Sequence, residues 1–263
     1  MNNISVAIPT YYSSTFISRT IDSLKNTNVV SEIVITDDSE SNKEFNLLTD
    51  EVNNSLEHSD IKLKLIQNPS KLGGFKNKYH SITQTNNNFV YQIDSDNLAN
   101  KSSLKFIEEA DQDFFQKNLL YIPSGIFLFK KNKYEKYIKP RNKITFLNSS
   151  KIITPEFLKQ SLIQNDNFLK NKNVNWLLNT GNPFFYKDSY LTFLERGIKM
   201  EEKKISAGDA IAMIYFWLSS GHNLCVASFL KHYHRTREDS YWIREGNSSY
   251  KSTEYFKDLI KNL

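Results

Sequence analysis

The stretch FVYQIDSDN, residues 89–97, joins a short apolar run to two carboxylates, Asp94 and Asp96. A strand that is buried on both faces of a parallel sheet has such a nearly continuous apolar sequence. The Asp-x-Asp spacing places both carboxylates on one face of an extended chain, and ligands of open α/β sheets bind beyond the carboxyl ends of the strands. We therefore expect a buried strand that ends at a site for a divalent cation or a phosphate.

The spacing alone does not carry this prediction, because it recurs at Asp111 and Asp113 in a segment with a helical pattern. The elements before residue 89 are what distinguish Asp94 and Asp96. Apolar runs predict strands at residues 4–9, 32–36, 61–67 and 89–93. Helical spacing predicts helices between them at residues 14–25, 42–57 and 75–85.

Strands that alternate with helices through short connections predict an α/β fold with a doubly wound, mostly parallel sheet flanked by helices. The carboxyl ends of parallel strands lie at one edge of such a sheet. We therefore expect Asp37 and Asp38, which end the second strand, to converge with Asp94 and Asp96.

The second half of the chain carries weaker signals. We expect a helix that is capped by Ser102 or Ser103 and runs to about Lys117. Further strands are expected at residues 119–123, 126–130, 184–186 and 223–229. Helices are expected at residues 210–218 and 250–263, and the apolar face of the last one should pack on the core, with a membrane surface as the alternative.

Glycine-rich phosphate loops are missing from the sequence. Neither Gly-x-Gly-x-x-Gly after the first strand nor Gly-Lys-Ser/Thr occurs. A phosphate would then be held by a metal ion and basic side chains. Hard oxygen ligands such as Asp94 and Asp96 suit Mn²⁺ or Mg²⁺, which use one or two carboxylates together with substrate phosphates.

Charge and cysteine content bear on partners and compartment. Residues 1–100 hold 8 Lys+Arg and 12 Asp+Glu, a net −4, and residues 101–263 hold 26 and 17, a net +9. The basic half could face an anionic partner or be a solvated lysine-rich surface. The single cysteine, Cys225, lies in an apolar run and is expected to be buried. With no secretory signal and no apolar stretch long enough to span a bilayer, we expect a cytoplasmic protein, with peripheral contact at the inner face of an anionic membrane left open.

Four ordered segments resemble the family 2 glycosyltransferases, which have the GT-A fold. They are VAIPTYY (residues 6–12), EIVITDDSE (32–40), NPSKLGGFKNKYHSI (68–82) and QIDSDN (92–97). The resemblance implies an inverting, metal-dependent transferase that moves a sugar from a nucleotide-diphosphate donor, most simply a UDP-sugar, to a glycan or lipid-linked acceptor. It further implies a donor-binding half at residues 1–100 and an acceptor-binding half at residues 101–263, within one globular unit.

The resemblance also implies a role for individual residues on the donor side. Pro9 and Tyr11 would line the nucleobase pocket, and Asp38 would accept a hydrogen bond from the base. The remaining donor-binding positions would be Thr10, Asp37, Lys78, Asp94, Ser95, Arg235 and Arg237.

Metal, base and acceptor positions follow in the same way. Asp94 and Asp96 would hold the metal with His232 or His234, of which we expect only one to face the site. Asp209 would be the general base. The acceptor loop would include Asn179, Thr180, Gly181 and Asn182.

The sequence departs from the family pattern at three places. Asp-Asp-Ser-Glu replaces Asp-Asp-Gly-Ser, Tyr12 replaces an Asn, and Gly208 stands where an acid usually precedes the base. Asp209 could therefore be only a helix cap. Two other functions stay open, a nucleotidyltransferase on a similar sheet and a non-catalytic carbohydrate- or nucleic-acid-binding protein, although the acidic strand ends argue against nucleic acid.

Overall fold

The computed structural model describes residues 3–25, 27–129, 142–144, 148–167, 170–171, 173–174, 177, 181–201, 205, 208–237 and 247–263. The strands are β1 (Ile4–Thr10), β2 (Val30–Asp37), β3 (Lys62–Gln67), β4 (Phe89–Gln92), β5 (Leu119–Pro123), β6 (Ile126–Phe129), β7 (Asn142–Ile144), β8 (Lys151–Ile153), β9 (Phe184–Tyr186), β10 (Asn223–Ala227) and β11 (His232–Arg235). The helices are α1 (Ser14–Leu24), α2 (Asn42–Leu56), α3 (Gly74–Thr83), α4 (Lys101–Glu109), α5 (Pro155–Gln164), α6 (Lys187–Glu201), α7 (Asp209–Ser219) and α8 (Asn247–Lys261).

The main sheet has the strand order β3-β2-β1-β4-β9-β5-β10-β8. Strands β1 to β4 are mutually parallel, whereas β9 runs antiparallel to both of its neighbours, β4 and β5. The predicted α/β fold, with a mostly parallel sheet flanked by helices, is confirmed.

Strand β1 lies at the centre of the first four strands because it is apolar on both faces. Ile4, Val6, Ala7 and Ile8 are completely buried between β2 and β4. The strand order has a consequence for the site, since β1 separates the end of β2 from the end of β4. The Asp37/Asp38 pair and the Asp94/Asp96 pair therefore lie at the same edge but not on adjacent strands.

Helix α4 differs from its prediction at both ends. The cap is Asn100, whose Oδ1 accepts a hydrogen bond from the backbone N–H of Ser103, so the helix begins at Lys101 and not after Ser102 or Ser103. The backbone becomes extended at Ala110, and only a 3₁₀ turn, Gln112–Phe114, follows. Asp111 and Asp113, beside that turn, are exposed.

A second, three-stranded sheet has the order β11-β6-β7. It reaches the main sheet through an isolated bridge between Leu98 and Tyr233, in which the N–H of Leu98 donates to the carbonyl of Tyr233 over 3.1 Å. The bridge places β11 directly beside the segment that follows β4. Segments that are far apart in the sequence, after β4 and in β11, are thereby brought to one site.

The C-terminal helix α8 packs on the core as predicted. Phe256 and Ile260 are completely buried, and α8 contacts α7 and α5. Cys225 is buried as well, and burial raises the pKa of its thiol to about 11. Within the described ranges, no helix combines the length and the apolar character needed to cross a membrane.

Candidate active site

Lys78 connects two carboxylates from distant parts of the chain. Its Nζ lies 2.6 Å from Asp209 Oδ2 and 3.3 Å from Asp94 Oδ1. Lys78 comes from α3, Asp94 follows β4, and Asp209 is the first residue of α7. The side chains of Lys78 and Asp209 are each 16% exposed and that of Asp94 is 33% exposed, so water screens these ion pairs only partly.

The pKa values of this group follow from burial and charge. Burial disfavours the Lys78 ammonium, but Asp209 and Asp94 outweigh it and raise the pKa of Lys78 above its ordinary value. Burial also works against the charge of Asp94, and the Lys78 ammonium more than compensates, so the pKa of Asp94 is lowered. Lys78 and Asp94 are thus both charged at neutral pH.

Asp96 has the opposite shift. Burial and then the charge of Asp94 raise its pKa, and the attraction of His234 and Arg237 offsets this only in part. Arg237 Nη1 donates to Asp96 Oδ2 over 3.2 Å. Two neighbouring carboxylates whose pKa values move apart are typical of functional sites.

Arg235 and Arg237 are not a solvated surface pair. Both guanidinium groups lie over the ring of Phe16, with Cζ 4.8 and 4.4 Å from its centroid. Arg235 Nε also donates to the backbone carbonyl of Asp96 over 3.3 Å. Its buried Nη2 has no hydrogen-bond partner among the residues that the structure describes. A buried guanidinium nitrogen without an acceptor is suited to an anionic ligand.

His232 and His234 both face this site, so the expectation that only one would do so is wrong. Side chains two residues apart in a strand point to the same face, and the two ring centroids lie 5.3 Å apart. His232 is buried, and its Nε2 lies 2.8 Å from Asn97 Nδ2. Burial and then the charge of His234 lower the pKa of His232 well below its ordinary value, so it is neutral and its Nε2 accepts. His234 instead has a buried Nδ1 that finds no hydrogen-bond partner within the described part of the chain.

The residues around Asp94 and Asp96 fit Mn²⁺ or Mg²⁺ in ligand type. Two carboxylates are present, and the unpartnered Nδ1 of His234 lies in their neighbourhood, since His234 lowers the pKa of both. Within the part of the chain that the structure describes, no three His, Cys, Asp or Glu side chains form a closed metal cluster. An ion that takes one or two carboxylates and completes its coordination with phosphates does not need one.

The carboxylate of Asp38 accepts three hydrogen bonds from the loop before α3. Its Oδ1 accepts from the N–H of Leu72 over 2.7 Å and from Asn68 Nδ2 over 3.1 Å, and its Oδ2 accepts from the N–H of Gly73 over 2.8 Å. A carboxylate oxygen has two acceptor positions. Oδ2 therefore has one acceptor position left, which could take a hydrogen bond from a nucleobase.

Asp37 is buried more deeply. Its Oδ1 accepts from the hydroxyls of Thr10 and Ser39, over 2.9 and 2.8 Å. Its Oδ2 is buried and has no partner in the ranges that the structure describes. Burial raises the pKa of Asp37, and those hydrogen bonds only partly oppose it. Thr10 is therefore a support for Asp37 at the end of β1.

Tyr11 follows β1 and is half-buried at the carboxyl edge of the sheet. The ammonium of Lys71 lies 4.5 Å from the centroid of its ring, and Pro9 beside it is half-buried. Ser95, between the two central carboxylates, is buried and its hydroxyl lies 2.7 Å from that of Ser13. Ser13 precedes α1, but its side chain does not cap that helix.

The acceptor loop is described only in part. Asn179 and Thr180 lie outside the described residues. Asn182 is buried with a positive φ of 60°, and its Oδ1 accepts from the N–H of Asp94 over 3.4 Å. A Cβ at Gly181 would lie 3.0 Å from Cε1 of His232, so the loop packs closely on the site.

Gly208 has a steric role before Asp209. A Cβ at this position would lie 2.8 Å from Ser252 Oγ and 3.0 Å from the backbone nitrogen of Thr253, both on α8. The departure from the family's acidic residue thus follows from the close approach of α8. Asp209 begins α7, and Gly208 is its N-cap residue.

Comparisons with known proteins identify the family. The sequence model described as Glycosyl transferase family 2 matches residues 5–162, more than half of the chain. The chain belongs to glycosyl transferase family 2. The protein is therefore a glycosyltransferase, and the nucleotidyltransferase and non-catalytic alternatives are set aside. Comparison with curated proteins yields no match.

Solved structures of S. aureus TarS share the GT-A fold of this glycosyltransferase. TarS 1–349 in complex with UDP-GlcNAc is 17% identical, with a TM-score of 0.62 over 99% of this chain and 67% of that one. TarS 1–349 in complex with UDP is 18% identical, with a TM-score of 0.57 over 98% and 69%. Against TarS itself the TM-score is 0.53, and the match covers 39% of that chain.

Two residues of the glycosyltransferase were missed by sequence reasoning. Asn97 is completely buried, and its Oδ1 accepts from the N–H of Arg235 while its Nδ2 donates to Asp94 and lies next to His232. Its position at the end of the stretch FVYQIDSDN, next to the two aspartates, could have indicated a role in the site. Phe16 gave none, since its position in an apolar helical pattern does not reveal that two arginines stack on it.

Asp38→Ala should destabilise the glycosyltransferase by about 2–4 kcal/mol, because it leaves the N–H groups of Leu72 and Gly73 without their acceptor. Urea unfolding measures the change. The control is Asp22→Ala, which removes an exposed ion pair with Lys25 and should cost about 0–1 kcal/mol. Equal stability of the two variants would contradict the structural role of Asp38.

Proposed function

We propose that this glycosyltransferase moves a sugar from a nucleotide-diphosphate donor, a UDP-sugar, to a hydroxyl of a glycan or lipid-linked acceptor with inversion at the anomeric carbon. The observation that carries the proposal is the cluster of Lys78, Arg235 and Arg237 around the carboxylates at the end of β4. Cations of this kind stabilise a departing diphosphate. The complexes of S. aureus TarS with UDP-GlcNAc and UDP support the choice of donor.

The nucleotide would bind at the ends of β1 and β2. Its base would stack on Tyr11, next to Pro9, and would donate to the remaining acceptor position of Asp38. The hydrogen bond from Thr10 to Asp37 would hold the ends of these two strands in place beneath the nucleotide. In this arrangement residues 1–100 form the donor half, and residues 101–263 supply the acceptor side, including the Gly181 and Asn182 segment.

A divalent ion, Mn²⁺ or Mg²⁺, would be held by Asp94 and Asp96 together with phosphates of the donor. His234 would lie beside this ion, and His232 would keep His234 and Asn97 in place. When bound, such an ion supplies positive charge that stabilises the leaving diphosphate. Arg235 and Arg237 would add the side-chain donors, since Arg235 Nη2 has no acceptor in the described structure. Ser95 would orient the loop through its contact with Ser13.

The transfer would be a single displacement. The acceptor oxygen forms a bond to the anomeric carbon, and the bond between that carbon and the diphosphate oxygen breaks with its electron pair leaving on UDP. The proton of the acceptor hydroxyl passes to Asp209. Attack from the side opposite the leaving group inverts the anomeric configuration.

Asp96→Ala should lower the turnover of a UDP-sugar by about 10²–10³-fold, because it removes one ligand of the ion that stabilises the diphosphate. Turnover is measured as released UDP, and pyrophosphate is assayed in parallel. The control is Asp113→Ala, the exposed aspartate of the second Asp-x-Asp, which should keep wild-type turnover. Undiminished turnover in Asp96→Ala, or pyrophosphate as the product, would contradict the proposed function.

Asp209→Asn should lower the rate of transfer by about 10²–10⁴-fold, the usual contribution of a general base. The amide keeps the shape of the side chain but cannot take the acceptor proton. UDP binding, measured by calorimetry, should persist. Transfer at the wild-type rate would show that another group is the base.

A further inference from the structure

The base proposed for the transfer is not available in the structure as it stands. Asp209 Oδ2 lies 2.6 Å from Lys78 Nζ, and among the residues that the structure describes no other cation forms an ion pair with it. The ammonium occupies a position on this carboxylate from which an acceptor hydroxyl would reach it, within about 2.6–3.2 Å of the base.

Lys78 also contacts the donor side of the site. The same ammonium lies 3.3 Å from Asp94 Oδ1. One cation is therefore shared between the residue proposed to hold the donor's ion and the residue proposed to take the acceptor's proton.

We propose that Lys78 is a positioning residue that holds Asp209 in an ion pair until the donor's diphosphate arrives and draws the ammonium away. This inference rests on the proposed function. Bound diphosphate then leaves Asp209 unpaired and accessible to the acceptor hydroxyl. Donor binding is thereby coupled to the release of the base, and water or acceptor meets an inactive carboxylate when no donor is bound.

The chemistry of lysine suits this transfer of a contact. Its ammonium is a compact charge with three donors on a flexible four-carbon stem. A diphosphate beside Asp94 offers the three donors of this ammonium several anionic oxygens, whereas Asp209 offers a single carboxylate. Tyr190 is a buried phenol whose hydroxyl has no hydrogen-bond partner in the described structure. Burial and then the charge of Asp209 raise the pKa of Tyr190, which shows that the two residues are within electrostatic reach.

Coupling between two sites is reciprocal. If the diphosphate draws Lys78 away from Asp209, then weakening the Lys78–Asp209 pair must strengthen the binding of the diphosphate. Asp209 should thus compete with UDP for Lys78. A lysine that only supports the fold, or that binds the diphosphate without leaving Asp209, gives no such effect.

The test is a double-mutant cycle on the affinity for UDP in the presence of Mg²⁺, measured by calorimetry on the full chain. Asp209→Asn should tighten UDP binding about fivefold, at the low end of typical couplings. Lys78→Met should weaken it about 10- to 100-fold, because a charge-assisted contact is lost. In the Lys78→Met background, Asp209→Asn should leave the affinity unchanged.

The last comparison separates the proposal from simple electrostatics. Removing a negative charge near an anion would tighten binding in both backgrounds, whereas release of Lys78 acts only when Lys78 is present. Glu195→Gln, which neutralises an exposed carboxylate on α6, is the matched charge control and should leave the affinity unchanged.

Three outcomes overturn the proposal. They are an unchanged or weaker UDP affinity in Asp209→Asn, equal tightening in both backgrounds, and tightening of the same size in Glu195→Gln. If Lys78→Met does not fold, the comparison of wild type with Asp209→Asn still shows whether the affinity for UDP rises or falls. Wild type that binds UDP without the coupling refutes only the role of Lys78, whereas wild type that binds no UDP refutes the proposed function as well.

Discussion

Buried negative charge at the carboxyl end of β4 is the constraint on which the site depends. Asp94, Asp96 and Asp209 lie close together and are only partly exposed to water, so leaving their charges unpaired would be costly. Lys78 and Arg237 pair with these carboxylates, and Arg235 contacts the carbonyl of Asp96. These cations come from α3 and from β11 and its C-terminal extension, so compensation of the carboxylates also joins distant parts of the chain.

The same pairing explains how the fold serves the function. The two arginines are held at a strand end before any ligand arrives, which would lower the reorganisation needed to stabilise the diphosphate in the proposed reaction. Helix α8 contributes from a distance. Its close contact with Gly208 fixes the start of α7, and the start of α7 carries Asp209.

Much of the donor side could be predicted from the sequence. The apolar runs of β1, β2 and β4 are unambiguous because these strands are largely buried, and β3, at the edge of the sheet, is recognised by its alternating pattern. The alternation of the four strands with helices fixes which ends meet. The sequence also pointed to Asp94 and Asp96 over the identical spacing at Asp111 and Asp113, which is exposed beside a 3₁₀ turn. Other features depend on tertiary contacts that leave no local pattern. They include the central position of β1 between the two aspartate pairs, the stacking of two arginines on Phe16, and the loss of an acid at Gly208. The error on His232 and His234 was avoidable, since the two-residue period of a strand already places both on one face.

We propose above all that the carboxyl edge of β1, β2 and β4 binds a nucleotide sugar together with a divalent ion. Thermal unfolding of the whole chain with UDP-GlcNAc, in the presence and absence of Mn²⁺, tests it most directly. At a ligand concentration 100 times Kd, binding adds about 2.7 kcal/mol to the stability of the native state. We expect a rise in melting temperature that requires both the UDP-sugar and Mn²⁺. A melting temperature that does not change with UDP-GlcNAc, or with other nucleotide sugars under the same conditions, would contradict it.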